Sequence, residues 1–150
     1  MKKKFAGYIN LKNLNGILFP SSIQNILMKE YIQNKLKSIF YLSPTEVMQA
    51  KFSITLKTLL SKETNVSGVV MLSSFYLPND IQEREELFKI ALKNKKEIHF
   101  IFDELIFKTK KDFKIIEDFL IFNNDFFTKT KKKLSNEEKK IYKNFKISFV

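Results

Sequence analysis

Four short apolar runs separated by amphipathic windows govern what the first 107 residues can fold into. The runs are "KFAGYIN" (4–10), "SIFYL" (38–42), "SGVVMLS" (67–73) and "EIHFIFD" (97–103). Strand-like runs alternating with helical windows are the pattern of repeated βαβ units, which build a parallel sheet covered by helices. Right-handed crossovers then predict a three-layer α/β sandwich with a four- or five-stranded parallel sheet in the flavodoxin-like order 2-1-3-4.

The helical windows carry start signals. Ser21 with Gln24 three residues on fits a capping box, and Ile23, Ile26, Leu27 and Tyr31 recur on one face. Ser43, Pro44 and Glu46 read as N-cap, first helical position and capping-box partner of a second helix, with Met48, Phe52, Leu56 and Leu59 as its core stripe. Asp80 and Glu83 stand at the same spacing before a third helix that would bury Leu87, Phe88, Ala91 and Leu92.

From residue 108 the character changes to lysine-rich stretches alternating with "IIEDFLIFNNDFF", without glycine or proline. The expected division is a sheet domain over 1–107 and a Lys/Phe-rich helical extension over 108–150. Phe113, Ile116, Phe119, Leu120, Phe122, Phe126 and Phe127 are too many large apolar groups to leave in water, so the extension should dock on the sheet domain or on a second subunit. A homodimer or larger homo-oligomer is the corresponding expectation. A short helix near 135–145 and a final β-like "KISFV" complete the reading.

The chain has a formal net charge of +11, but Arg84 is the only arginine among 27 basic residues. Readers of phosphates and guanines favour arginine's bidentate fork, which argues against nucleic acid as the partner. With no cysteine, disulfides, thiolate catalysis and the usual structural zinc sites are excluded. No metal-ligand spacing and no Gly-rich phosphate loop is present, so no metal or cofactor is expected. The "MKKKFAGYIN" start lacks the apolar stretch of a signal peptide, and no apolar run approaches the roughly 18 residues of a membrane span. The expected setting is cytoplasmic.

In a parallel sheet the carboxyl ends of the strands share one edge, where α/β folds hold their ligands. That edge should gather Asn10, Ser43, Ser73, Ser74, Asp103 and Glu104, near helix N-termini that favour an anionic group. The stretch "SSFYLP" (73–78) would form one wall of a polar and aromatic crevice. Glu46 and Glu104 are the candidate proton carriers, although capping explains Glu46 equally well. Asn10, Gln24, Asn25, Ser73, Ser74 and Tyr76 are the candidate ligand-positioning residues. Gln24 has a capping alternative, Tyr76 a packing one, and strand alternation lets only one serine face a given side. Asp103 and Glu104, as neighbours, should point to opposite faces. His99 lies mid-strand, too far from this edge for a Ser–His–Asp arrangement, and reads as a core histidine.

"GYIN", the glutamine of the first helix, the acid of the second, "GVVML" and "EIHFIFDE" together resemble the catalytic-domain fold of serine resolvases and invertases. That family's nucleophilic serine would fall on Leu11 or Lys12, with Asn10 as the flanking residue. Its Asp-Arg…Arg signature would fall on Phe75, Tyr76 and Asn79, so strand cleavage does not carry over. A closer resemblance is to the sporadic carbohydrate cluster proteins of bacterial surface-polysaccharide and lipopolysaccharide gene clusters. The pieces carrying it are "GYI" (7–9), "PSSIQN" (20–25), "LSPTE" (42–46), "GVVMLSSFYLP" (68–78) and "IHFIFDE" (98–104).

The second resemblance implies a sugar or sugar-nucleotide ligand in surface-polysaccharide biosynthesis and brings no reaction with it. Three readings follow, the first leading and the others its alternatives in order. The chain is an acid/base enzyme such as an isomerase, epimerase or lyase; or a noncatalytic sugar- or partner-binding accessory protein; or a nucleic-acid-binding derivative of a recombinase-like fold.

Overall fold

The computed structural model describes residues 2–14, 16–47 and 53–133, with side chains through Asn124. The strands among them are β1 (Lys4–Gly7), β2 (Ile39–Phe40), β3 (Gly68–Met71), β4 (Glu97–Phe100) and β5 (Leu105–Phe107). The helices are α1 (Ser21–Glu30), α2 (Ile54–Leu60), α3 (Ile81–Lys93) and α4 (Lys110–Lys133), with a π turn over Tyr31–Lys35 and a 3-10 turn over Ser74–Tyr76. The sheet order is β2-β1-β3-β4-β5. β2, β1, β3 and β4 run parallel, as the alternation of runs and windows predicts.

The fifth strand departs from an all-parallel sheet: β5 pairs antiparallel with β4. Only the 101–104 turn separates the two strands, far too short for a parallel crossover. Glu104 closes that turn at φ 54, a left-handed backbone.

β3 is buried at all four positions because it has β1 and β4 on its two edges and helices on both faces. The β1-to-β2 crossover runs one way along the sheet and those after β2 run the other, so α1 covers one face while α2 and α3 cover the opposite one. This reversal makes the carboxyl ends of β1 and β3 the topological switch point. Gly68 allows the close β3–β4 approach, since a Cβ there would sit 2.3 Å from the Glu97 carbonyl oxygen.

Two helix starts differ from the sequence reading. No side chain caps α1, whose N-cap is Pro20. Gln24 turns inward and is buried with Met28 and Ile32, whereas Ile23 and Ile26 are exposed and Leu27 and Tyr31 only partly buried. The buried face is therefore rotated from the apolar stripe, because Gln24 serves backbone groups beyond β1.

Ser43, Pro44 and Glu46 do not begin a helix either. Ile9 N–H donates to Pro44 O and Glu46 N–H to Ile9 O, so this stretch runs on beside the end of β1, bridging Ile9 to Thr45. The second helix begins at Ile54, with Leu56 and Leu59 buried; Met48 and Phe52 lie outside the described residues. The third is as read, Asp80 capping the Gln82 N–H at 3.0 Å, with Leu87, Phe88 and Ala91 buried and Leu92 partly so.

α4 packs along α3, β5 and the 3-10 turn. Its start is fixed by Asp112, which accepts the Lys108 and Thr109 N–H groups at 2.8 Å each. Ile116 is buried, Phe113 stacks edge-on against Phe88, and Phe119 packs against Phe75. Arg84 forms a two-pronged ion pair with Glu117, both contacts at 2.7 Å. Phe122 departs from the expected burial, standing 69% exposed. The side chains of Phe126 and Phe127, the 135–145 helix and "KISFV" lie outside the described residues. Among the described residues no helix is long and apolar enough to cross a membrane.

His99 is a buried core histidine, edge-on to Phe5 and Tyr31. Its Nε2 contacts the Glu97 carboxylate at 2.8 Å and its Nδ1 the Tyr31 hydroxyl at 2.9 Å. A neutral ring satisfies both, donating to Glu97 and accepting from Tyr31. Burial, the largest effect, lowers the His99 pKa against the opposing pull of Glu97. Burial alone would raise the Glu97 carboxyl; the hydrogen bonds from His99 and Lys3 and the nearby Lys108 charge outweigh it and hold it below its ordinary value.

Candidate binding site at the carboxyl edge

Past β1 the backbone has lost its strand partners on one side, and polar side chains replace them. The Asn10 N–H donates to Gln24 Oε1 at 3.2 Å, and Gln24 Nε2 donates to Asn10 O and Phe19 O, both at 2.8 Å. A buried amide that donates twice and accepts once is well satisfied, so Gln24 fixes the loop after β1. Asn10 in turn donates through Nδ2 to the Tyr8 hydroxyl (3.2 Å) and to Tyr76 O (3.4 Å), and accepts the Lys12 N–H at 2.9 Å. Asn25 is held by the Ser43 hydroxyl, tying α1 to the segment beside β1.

Glu46 sits on the other side of Tyr8. Its Oε1 accepts the Tyr8 hydroxyl at 2.9 Å and the Leu56 N–H at 3.4 Å, while its Oε2 accepts the Val47 and Thr55 N–H groups at 3.0 and 2.9 Å. Thr55 and Leu56 lie in the first turn of α2, so Glu46 caps that helix from outside it. Burial first, then the Glu46 charge, push the Tyr8 hydroxyl well above its ordinary pKa, keeping it a neutral donor.

The two serines converge on one carboxylate. Ser73 Oγ donates to Asp103 Oδ1 at 2.9 Å, and Ser74 donates both its N–H (2.6 Å) and its hydroxyl to Oδ2. Both serines are buried. Asp103 thus latches the end of β3 to the end of β4, and both hydroxyl protons are committed. Glu104, by contrast, is exposed on the turn before β5 and joins none of these contacts. The Tyr76 ring is packed in the core, and its buried hydroxyl, without a partner among the described residues, has its pKa raised to about 12 by that burial.

A pocket with a volume of ≈ 240 Å³ opens beside this latch. Ser74, Phe75, Leu77 and Pro78 form one wall, Asn79 and Arg84 the end by α3, and Leu120, Ile121 and Asn124 of α4 the other wall. Of "SSFYLP" four residues line this crevice, closed on its far side by α4, while Ser73 and Tyr76 do not, nor do Asn10, Gln24, Asn25, Glu46 or Glu104. The volume lies just under the ~300 Å³ at which drug-sized sites begin. Arg84 also donates to Pro78 O (3.0 Å) and Asn79 O (2.7 Å), so the ion pair with Glu117 sets both walls.

Lys12 stands at the same end, donating to Leu77 O at 3.3 Å and to Asn79 Oδ1 at 2.9 Å. Burial, then the Arg84 charge, lower its pKa from the ordinary lysine value. Sequence reasoning singled out neither Lys12 nor Arg84 for this end of the edge, nor Asp103 as partner of both serines. Among the described residues no group of three or more acidic, histidine or cysteine side chains is placed to hold a metal ion.

No family model matches the chain, and no curated protein matches it. Among solved structures it is similar to the crystal structure of the N-terminal catalytic domain of TP901-1 integrase, with a TM-score of 0.61 at 13% sequence identity. The match covers 83% of this chain and 98% of that one. At that identity the likeness concerns the architecture alone: the α/β fold seen here, with its mostly parallel five-stranded sheet, is similar to that of the integrase catalytic domain.

Proposed function

We propose that this protein is a noncatalytic, sugar-binding accessory protein of surface-polysaccharide biosynthesis, and that its ligand sits in the pocket between "SSFYLP" and α4. The pocket carries the reading: rings and aliphatic groups beside an amide and a guanidinium suit a sugar, whose faces are apolar and whose rim forms hydrogen bonds. The biosynthetic setting rests on the resemblance of five motifs to the sporadic carbohydrate cluster proteins. Binding is favoured over turnover because neither candidate proton carrier lines the pocket, Glu104 standing exposed on the turn before β5 and Glu46 lying against the first turn of α2. Glu46 already accepts four hydrogen bonds, and the Ser73 and Ser74 protons are held by Asp103.

The test is calorimetric titration with hexoses, N-acetylhexosamines and their nucleotide-linked forms, on the parent and on Ile121→Trp. Ile121 is exposed on the pocket wall, so a larger ring there fills the pocket without touching the core. The reading expects saturable binding that weakens at least tenfold in Ile121→Trp, with no consumption of the bound compound. Binding of every sugar unaffected by the block would overturn it.

A second reading, nucleic-acid binding without strand cleavage, is favoured by the fold shared with a recombinase domain and by the +11 charge. It predicts affinity for duplex DNA that falls steeply with salt.

A further inference from the structure

Resting on the pocket reading above, we infer that the ligand is phosphorylated, with its phosphate held at the Lys12–Asn79 end of the pocket. Two cations meet there, and their surroundings differ. Arg84 is balanced by Glu117 at 2.7 Å and, at longer range, by the Asp80 charge. Lys12 is only partly exposed, and both acceptors of its ammonium, Leu77 O and Asn79 Oδ1, are neutral. With no carboxylate on it among the described residues, this partly exposed ammonium beside an arginine leaves positive potential on the Leu77–Asn79 side of the pocket, and such potential concentrates anions. Both acceptors belong to residues that line the pocket, so the uncompensated charge adjoins the space proposed for the sugar ring. Lysine binds phosphate as a point charge and needs no bidentate geometry, which fits a site where Arg84 is already committed. The ligand class is therefore a sugar phosphate or a nucleoside-diphosphate sugar rather than a free sugar.

The experiment measures affinity for matched sets: hexoses, their 1-phosphates and their nucleoside-diphosphate forms, with a 20-base-pair duplex as competitor. The proteins are the parent, Lys12→Gln and Asn79→Asp. Lys12→Gln removes the charge while keeping a donor for Leu77 O. Asn79→Asp is an exposed change that places a carboxylate on Lys12, so it should fold at least as well as the parent.

The expected result is that a phosphorylated form binds at least tenfold tighter than its matching free hexose, and that both variants lose the difference while unfolding near the parent midpoint. Equal binding of neutral and phosphorylated forms would overturn the phosphate assignment and leave the sugar pocket standing. A preference for phosphate that survives both variants would overturn the role of Lys12. Phosphate-dependent binding lost in these variants but unaffected by Ile121→Trp would keep the anion site and sink the sugar pocket. Tighter binding of the duplex, lost in the same variants, would assign the phosphate to nucleic acid and overturn the small-ligand source. No binding of any probe would overturn both proposals.

Discussion

Asp103→Ala is the substitution most informative about how the carboxyl edge is held. The carboxylate accepts from Ser73 Oγ, Ser74 N and Ser74 Oγ, and both serines are buried. Hydrogen bonds to charged groups contribute about 1.5–3 kcal/mol each, and a buried donor left without its acceptor costs about 1–3 kcal/mol. The three contacts share one acceptor and are not additive, so the loss should be about 3–5 kcal/mol. For a chain of this size about 2–4 °C accompany each kcal/mol, which predicts a midpoint lower by about 10 °C. Ser73→Ala and Ser74→Ala should each cost only about 1 kcal/mol, and most of that effect should vanish in the Asp103→Ala background. Thermal unfolding of the parent, the three single variants and the two double variants gives the cycle. A midpoint for Asp103→Ala within about 2 °C of the parent would refute the latch and free the serines for a direct ligand role.

Two further outcomes follow from the same contacts. Glu117→Ala leaves a mostly buried Arg84 unpaired, so it should cost about 3–5 kcal/mol in urea unfolding and expose α4 to proteolysis before the sheet; equal loss of both would contradict the packing. His99 has a folded pKa below its ordinary value of 6.5, so the unfolded chain binds the proton first as pH falls. Its contribution is therefore present above pH 6.5 and lost as pH drops towards its folded pKa, by up to about 1.4 kcal/mol per pH unit. Urea midpoints of the parent and His99→Gln between about pH 5 and 8 should show this slope only in the parent.

The order of the sheet was readable because β3 is apolar on both faces and helix-like windows separate the parallel strands. What could not be read came from demands made by distant segments. Ser43, Pro44 and Glu46 have a helix-start signature, yet the open edge of Ile9 draws them into an extended bridge and leaves Glu46 to cap a helix that starts at Ile54. Gln24 fits a capping box, but Asn10, with both backbone groups unpaired past β1, turns it inward. β5 was hidden by being three residues long behind a tight turn. The serine–aspartate latch was more accessible than it looked. β3 pairs with β4 at a constant offset, Val70 with His99, and extending that register sets Ser74 beside Asp103. Lys12 and Arg84 carried no local signal, because only the packing of α4 and the loop after β1 brings Arg84 into the pocket wall and Lys12 against Leu77 and Asn79 of that wall.

The pocket claim is tested most directly by recording backbone amide shifts during titration with a nucleoside-diphosphate sugar. A ligand in that pocket should give saturable shifts at the amides of residues 12, 74–77, 79, 84 and 120–124, with those of Val47, Thr55 and Leu56 around Glu46 unmoved. Shifts centred on Tyr8, Asn10 and Glu46, with the α4 wall silent, would place the ligand on the Glu46 side and contradict it.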